Sequence, residues 1–341
     1  MRTISKTAGA VISAAGLFWS IGAGANDSTA ELAAGGLVLT KSPAIEMRAE
    51  DLYISAKQVR VRYRFANTSA EDVTVTVAFP MPDITTEGYD DMLSVPTEDP
   101  VNILGFATLV DGKPVAAEVE QKTIKHGVDQ TAYMKSLGVP LAPHLSSTNE
   151  ALDRLPQPVK DALVAKGLAV VDEYGDSDTS MKKHWEATWT LKTTYFWRQT
   201  FPAGREIVVE HSYTPSVGES AGTEWGSAYY ARHPEYAAQR AHYCVDDAFL
   251  AAAKKPMKPG DVSAPFTEQR IEYILSSGAN WKAPIGDFRM VVDKGAPENL
   301  VSFCADGVKK ISPTEFEVRH TNFTPTRDVS IVILQPQPAN Q

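Results

Sequence analysis

Long apolar runs are missing from this 341-residue chain after its first 25 residues. A helix that spans a membrane needs about 20 consecutive apolar residues, so we expect no transmembrane helix beyond that point. Lysine and arginine form no long block either, and the formal net charge of the chain is −9. An acidic chain of this kind is poorly suited to bind phosphate backbones or anionic lipid. We therefore expect no nucleic-acid partner.

Cysteine is scarce: the sequence contains two, Cys244 and Cys304. The sequence contains no Cys-x-x-Cys, His-x-His or His-Glu-x-x-His motif, so the spacing of a common zinc site is absent. An even number of cysteines in an exported protein favours a disulfide over two buried free thiols. We predict a Cys244–Cys304 disulfide and no cofactor.

The first 25 residues have the organisation of a secretory signal peptide. Arg2 and Lys6 carry positive charge, residues 8–21 are mostly apolar, and residues 23–25 (AGA) form a small-residue cleavage site. We predict cleavage between Ala25 and Asn26, which would leave the mature protein in the periplasm or outside the cell. An uncleaved membrane anchor is the alternative, but the apolar stretch is shorter than a spanning helix requires.

Alternation of apolar and polar residues dominates the mature chain and is typical of half-buried strands. Residues 57–66 (KQVRVRYRFA) alternate strictly, with Val59 and Tyr63 on one face and Arg60 and Arg62 on the other. Residues 72–80 alternate as well, and the turn-rich stretch between the two segments predicts a hairpin. These segments indicate antiparallel sheet.

Turn and capping signals mark other elements. Asp111-Gly112 lies between two alternating segments and predicts a second hairpin. At the mature N-terminus, Ser28 and Glu31 have the spacing of a capping box, which predicts a short helix that Gly35 would end.

The division of the chain follows from changes in this pattern. Residues 129–168 have helical spacing and helix-capping residues, which predicts a helical insertion. We predict a mainly β fold of antiparallel β-sandwich architecture with two β domains. The predicted parts are an N-terminal β domain (26–215) that carries the insertion, an irregular aromatic connection (216–265) and a C-terminal β region (266–341), which the disulfide links back to the connection.

One short motif suggests an enzyme. In residues 217–225 (VGESAGTEW), Gly218, Ser220 and Gly222 have the spacing of the nucleophile elbow in α/β-hydrolases. That elbow needs a buried parallel strand before the serine and a helix after it. Residues 205–213 alternate instead like an antiparallel strand. We interpret the motif as a turn and keep a serine hydrolase that uses Ser220 as the alternative.

His211 is the most distinctive of the seven histidines, because strand alternation places it on the apolar face with Val209 and Tyr213. A single inward histidine is more often satisfied by a hydrogen bond in the core than by a metal ion. A histidine-based metal site at His211 is therefore a second alternative, not the preferred interpretation.

The connecting segment offers candidate binding residues. Trp225, Tyr229 and Tyr230 occur close to Arg232, and exposed aromatic side chains with polar neighbours suit contact with a glycan or a protein. The competing interpretation is that these aromatic residues form a buried seam between the two β domains.

Several long motifs resemble a known family. They are residues 26–42 (NDSTAELAAGGLVLTKS), residues 77–83 (VAFPMPD), the hairpin from residues 195–204 to 211–218, and residues 280–310. These stretches resemble exported bacterial proteins of the domain-of-unknown-function family numbered 4424, over about residues 26–334. The resemblance implies a periplasmic or secreted protein and implies no activity, cofactor or catalytic residue. We therefore expect an exported, non-enzymatic β protein that binds an envelope protein or glycan, or supports the envelope. The sequence does not indicate its oligomeric state.

Overall fold

The computed structural model describes residues 26–33, 36–86, 92–175 and 181–337. The predicted signal peptide, residues 1–25, and Gly35 lie outside these ranges. No helix within them is both long and apolar enough to cross a membrane.

Strands account for most of the regular structure in the described ranges. They are β1 (Ser28–Ala33), β2 (Gly36–Thr40), β3 (Ile45–Ile54), β4 (Val59–Asn67), β5 (Val73–Pro80), β6 (Ile84–Thr85), β7 (Met92–Ser94), β8 (Ala107–Val110), β9 (Lys113–Val115), β10 (Glu118–Lys125), β11 (Val128–Asp129), β12 (Ala169–Tyr174), β13 (Lys182–Ala187), β14 (Thr190–Phe201), β15 (Glu206–Tyr213), β16 (Val217–Ser220), β17 (Phe266–Tyr273), β18 (Ile285–Asp293), β19 (Leu300–Phe303), β20 (Lys309–Lys310), β21 (Glu315–Phe323) and β22 (Val329–Pro336). The α-helices are α1 (Thr131–Ser136), α2 (Ser146–Asp153), α3 (Gln157–Ala165), α4 (Tyr236–His242) and α5 (Asp247–Lys254).

These strands form three larger sheets and a separate hairpin of β12 and β13. The first sheet has the order β11-β10-β14-β5-β1-β2, with β6 beside β14, and the second has the order β20-β21-β18-β3-β4-β15-β8-β9. The third has the order β19-β22-β17-β16-β7. Among the described pairs, β3 and β18 are parallel and the others are antiparallel. The prediction of a mainly β, antiparallel fold is confirmed.

The first two sheets pack face to face, and their inner faces form the main core. Val59 and Tyr63 of β4 are fully buried while Arg60 and Arg62 are exposed, as the alternation predicts. Phe79 on β5 of the first sheet lies 4.9 Å, between ring centroids, from His211 on β15 of the second sheet. Aromatic rings thus cross the space between the sheets and hold them together.

The predicted hairpins between residues 57–66 and 72–80 and between residues 195–204 and 211–218 are wrong. The turn after β4 leads into β5, but β4 pairs with β3 and β15, whereas β5 pairs with β1 and β14. The turn between β14 and β15 likewise connects different sheets. In both cases the alternation identifies the buried face correctly, and each chain segment crosses the core to the opposite sheet instead of folding back beside itself.

The helix that the sequence predicts at Ser28 is also wrong. Ser28–Ala33 forms β1, which pairs with β5 on one side and β2 on the other. Backbone pairing on both sides satisfies more donors and acceptors than one helical turn with a capping box could.

Other local predictions are confirmed. Asp111 and Gly112 have φ angles of 49° and 74° and join β8 to β9 in a hairpin. The predicted insertion contains α1, α2 and α3. Cys244 and Cys304 form a disulfide.

The second sheet combines β18, β20 and β21 from the C-terminal region with strands of the N-terminal region.

Candidate functional site

The helical insertion is fastened to the β12–β13 hairpin by one carboxylate. The Asp153 Oδ2 atom at the end of α2 lies 2.7 Å from Nδ1 of His184, and its Oδ1 atom accepts a hydrogen bond of 2.8 Å from the backbone N–H of Trp185. Lys160 of α3 adds a cation–π contact, with its Nζ atom 3.8 Å from the centre of the Trp185 ring. The insertion is thus held in a defined position on the β scaffold.

A cavity of about 510 Å³, which we call the insertion cavity, lies where the insertion meets the β scaffold. Its wall is built from five places in the chain: the end of β6, the end of β10, α2 with the loop before it, the turn after α3 and the β12–β13 hairpin. The lining residues are Thr86, Lys125, His126, Pro143, His144, Asn149, Gly167, Val170, Glu186, Ala187 and Thr188.

Tight turns shape one side of the insertion cavity. His126 has a φ angle of 49° and Gly127 one of 76°, so these residues form the turn between β10 and β11. Gly167, at a φ angle of 68°, follows α3 as a typical C-terminal glycine. A Cβ atom at Gly167 would lie 3.2 Å from both Nε2 of His126 and Cε of Lys125. The absence of a side chain at this position therefore leaves room for two lining residues.

His144 is the most unusual residue of the cavity wall. Both of its ring nitrogens are inaccessible, and neither has a hydrogen-bond partner within the described part of the chain. Burial lowers the pKa of His144 below its ordinary value of 6.5, although the negative charge of Glu98 opposes this effect. The imidazole is therefore neutral at pH 7 and offers one unused donor and one unused acceptor.

Two opposite charges also line the cavity. The Nζ atom of Lys125 donates a hydrogen bond of 2.6 Å to the backbone oxygen of Thr188, and desolvation lowers the pKa of this lysine. Glu186 of β13 contributes a carboxylate. A cation, an anion and a neutral histidine side chain thus line the same cavity, which suits recognition of a small polar molecule.

A larger depression, of about 730 Å³, lies on the outer face of the second sheet. Its charged side chains already pair with one another: Arg62 lies 3.3 Å from Glu210, and Arg289 lies 2.9 Å from Asp51. Because these charged side chains already have partners, the depression is a weaker candidate for a ligand site than the insertion cavity.

His211, the predicted alternative metal ligand, lies in the core between the first two sheets. Its Nε2 atom is 3.0 Å from Oδ1 of Asp27 and its Nδ1 atom is 3.1 Å from Oγ1 of Thr108. Both ring nitrogens therefore have partners within the protein. Among the described residues, no group of three or more histidine, cysteine, aspartate or glutamate side chains is arranged to hold a metal ion.

Ser220, the alternative nucleophile, ends β16. This strand pairs antiparallel with β7 and β17, so the parallel strand that a nucleophile elbow requires is absent from this described sheet. The Ser220 hydroxyl donates to the backbone oxygen of Gly222, as expected for a side chain that closes a turn.

The structure brings together only some of the predicted binding residues of the connecting segment. Trp225 is buried and packs in a second core cluster with Phe249 and Phe266. Trp225 and Tyr230 also line a pocket of about 350 Å³ that includes Ser220. Tyr229 is 63% exposed and Arg232 is exposed as well. Contact of these two residues with an envelope protein or glycan stays a prediction.

Sequence reasoning missed the insertion cavity. The insertion itself was identifiable, and His126-Gly127 is a turn signal. His126 and His144, however, are isolated histidines among seven, and Lys125 and Glu186 are ordinary charged positions on alternating strands. Only the fold brings these residues to one volume.

Comparisons with known proteins give a family but no activity. None of the curated proteins matches the sequence significantly. A crystal structure of a "putative nutrient binding protein" from Legionella pneumophila is similar with 15% identity, a TM-score of 0.42, and coverage of 91% of this chain and 70% of that chain. A similarity at this level supports no conclusion about fold or function. The model of the family described as domain of unknown function (DUF4424) matches residues 25–332. The chain therefore belongs to the DUF4424 family.

Proposed function

We propose that the protein is exported and that its role is to bind, not to transform, a small polar ligand in the insertion cavity. The observation that carries this proposal is His144, whose two buried ring nitrogens have no partner among the described residues. A buried polar atom without a hydrogen bond costs about 1–3 kcal/mol, so such atoms generally mark the place of a water molecule or a ligand.

The lining residues favour a ligand with an anionic group. Desolvation lowers the pKa of Lys125, and an anion in the cavity would stabilise the charged form of this lysine. Neutral His144 could donate to one polar atom of the ligand and accept from another once its ring turns toward the cavity. Glu186 would accept from a hydroxyl or ammonium group. A small hydroxy acid or amino acid has this combination of groups.

Isothermal titration calorimetry of the mature protein against a panel of small carboxylates tests this proposal. The panel would contain lactate, glycerate, glutamate, serine, succinate and inorganic phosphate. We expect at least one to bind, and we expect His144→Ala and Lys125→Met each to weaken that binding about 10- to 100-fold, because a hydrogen bond to a charged group contributes about 1.5–3 kcal/mol.

Matched controls are available outside the cavity. His233 and Lys309 are exposed and do not line the cavity, so His233→Ala and Lys309→Met should leave affinity unchanged. No binding by any panel member, or equal losses in the cavity and control variants, would contradict the proposal. Export is tested separately by recovery of the processed protein from the periplasmic fraction.

A further inference from the structure

The first residues after the predicted cleavage site are buried in the protein core. Asn26, Asp27 and Ser28 have no accessible surface. The backbone N–H of Asn26 donates to Oγ of Ser277 at 2.6 Å, and this hydroxyl donates back to the Asn26 carbonyl oxygen at 2.7 Å. The Trp281 ring N–H donates to the carbonyl oxygen of Asp27 at 2.7 Å. This N-terminal segment is therefore fixed before β1 begins.

A carboxylate lies against the same residue. The side-chain amide of Asn26 donates to Oε2 of Glu50 at 2.9 Å, and Glu50 on β3 is itself 1% exposed. The wall behind Asn26 is close, because a Cβ atom at Gly278 would lie 2.6 Å from Nδ2 of Asn26. Asn26 thus occupies a closely fitting socket.

The socket has too few hydrogen-bond donors. Oδ1 of Asn26, Oδ2 of Asp27 and Oε1 of Glu50 are all buried and have no partner within the described ranges. All three are acceptors. Buried acceptors rarely stay unpaired, so three in one place indicate a donor-rich group that completes the socket.

The socket also contains two acidic side chains with no lysine or arginine paired to either in the described ranges. Asp27 and Glu50 are both fully buried, and His211 is the base that faces Asp27. The hydroxyl groups of Tyr63 and Tyr273 also face this cluster, and burial raises the pKa of both well above the ordinary value, so they stay neutral. Burial, opposed by the Asn26 hydrogen bond, raises the pKa of Glu50 to about 8. Two buried carboxyl groups therefore lie side by side, and without a further cation Glu50 retains its proton at neutral pH.

We infer that cleavage between Ala25 and Asn26 creates an α-ammonium group that pairs with Glu50 and Asp27 inside the core, so that processing completes the fold. In this step an envelope protease adds water across the peptide bond, which leaves a carboxylate on Ala25 and an ammonium group on Asn26. The inference uses the export part of the proposed function and is independent of the ligand.

The new terminus supplies the hydrogen-bond donors and the positive charge that the socket lacks. A peptide nitrogen has one N–H, which Ser277 already accepts, whereas an ammonium group has three. The two additional donors are enough for two of the three unpaired oxygens, and we assign them to Oδ2 of Asp27 and Oε1 of Glu50. The positive charge of the ammonium group would favour the ionised form of Glu50 and Asp27 and so form an ion pair with them.

A comparison of two chains that differ by one residue tests the inference. The mature protein that starts at Asn26 and a chain that starts at Ala25 can each be released from a fusion partner by a protease that leaves no extra residue. One residue displaces the ammonium group by about 3.8 Å, which is beyond hydrogen-bonding distance. We expect the melting temperature of the Ala25 chain to be lower by about 5–10 °C at pH 7.5. Equal melting temperatures would overturn the inference.

Glu50→Gln provides a second readout in both chains. In the chain that starts at Asn26, the substitution removes an ion-pair partner and should lower the melting temperature. In the chain that starts at Ala25, it removes a buried carboxyl group that has no cationic partner and should leave the melting temperature unchanged or raise it. Glu31→Gln, on the exposed part of β1, is the matched control and should have no effect in either chain. Equal effects of Glu50→Gln in both chains would contradict the ion pair.

The dependence on pH has a definite sign. In the Ala25 chain the pKa of Glu50 is above its ordinary value of 4.5, so the native state holds the proton more tightly than the unfolded state. Its stabilising effect is fully present below about pH 4.5 and is lost as the pH rises through about 8. Burial also raises the pKa of Asp27, which adds to this loss. The difference in melting temperature between the two chains should therefore widen from pH 5 to pH 8.

Labelling of amines tests the socket even if Glu50→Gln fails to fold. An amine-reactive ester at pH 7 should modify exposed Lys309 readily and should modify the Asn26 amine only after unfolding, as mass spectrometry would show. Equally rapid labelling of Asn26 and Lys309 in the native protein would overturn the inference. So would an N-terminal residue other than Asn26 in protein purified from the periplasm. None of these results depends on ligand binding, and loss of binding in the cavity variants would leave all of them unchanged.

Discussion

Asp27 and His211 face each other in the core, with the Oδ1 atom of Asp27 3.0 Å from Nε2 of His211 and neither side chain accessible to solvent. One residue lies just before the first strand and the other lies on β15, so this contact joins the segment before β1 to the second sheet. Polar contacts of this kind are costly to break once they are buried.

Asp27→Ala should therefore destabilise the mature protein strongly. The substitution leaves Nε2 of His211 buried without its acceptor, and we expect the free energy of unfolding to fall by about 3–5 kcal/mol. Urea unfolding followed by tryptophan fluorescence measures this change. Glu31→Ala, on the exposed part of β1, is the control and should change stability by less than about 0.5 kcal/mol. Similar effects for the two variants would show that the buried contact contributes little.

His144→Leu should leave stability unchanged or raise it, although the residue is buried. Its ring nitrogens have no partners within the described structure, so an apolar side chain of similar size removes a desolvation cost without breaking a hydrogen bond. The comparison is His184→Leu, which breaks the 2.7 Å contact with Asp153 and should cost about 1–3 kcal/mol. Thermal unfolding without ligand distinguishes them. A large loss for His144→Leu would mean that the imidazole already has a structural partner.

The lowered pKa of His144 predicts a particular dependence of stability on pH. Because burial lowers this pKa below 6.5, the unfolded state binds the proton more readily than the native state. Stability from this residue is thus retained above pH 6.5 and is lost as the pH falls, by at most about 1.4 kcal/mol per pH unit. The native protein should lose more stability than His144→Leu between pH 7.5 and pH 5 in parallel urea titrations. Parallel curves would contradict the lowered pKa.

Gly167→Ala should disturb the insertion cavity through Lys125 and His126. The new Cβ atom would approach both side chains to 3.2 Å, and the φ angle of 68° disfavours any residue except glycine. We expect a loss of about 1–2 kcal/mol in stability and weaker ligand binding. Gly204→Ala is the matched control, because Gly204 has a φ angle of 63° with no atom within 4 Å. It should reduce stability similarly and leave affinity unchanged.

Local patterns predicted which faces of the strands are buried but not which strands pair. Alternation correctly placed Tyr63 and His211 inside the protein, because side chains on a strand point to opposite faces in turn. The same pattern is compatible with a hairpin or with a crossing to the opposite sheet. A hairpin is the simpler prediction for β4 and β5, but the two strands belong to different sheets. Pairing depends on the whole set of strands, which one segment does not encode.

Local sequence patterns also fail to predict strand β1 and the insertion cavity, for different reasons. The capping-box pattern of Ser28 and Glu31 is weak compared with the pairing that β5 and β2 offer to β1. The insertion cavity depends on residues as distant as Thr86 and Glu186, so spacing in the sequence contains no motif for it. The unpaired state of His144 becomes visible only when its neighbours are known.

Nuclear magnetic resonance of the histidine side chains in the mature protein, with and without the best-binding carboxylate, tests the proposed function most directly. We expect saturating ligand to shift the ring nitrogen resonances of His144, while those of His211, which already has two partners, stay in place. If the ligand binds and the His144 resonances do not change, the ligand occupies another site and the insertion cavity is not the place of binding.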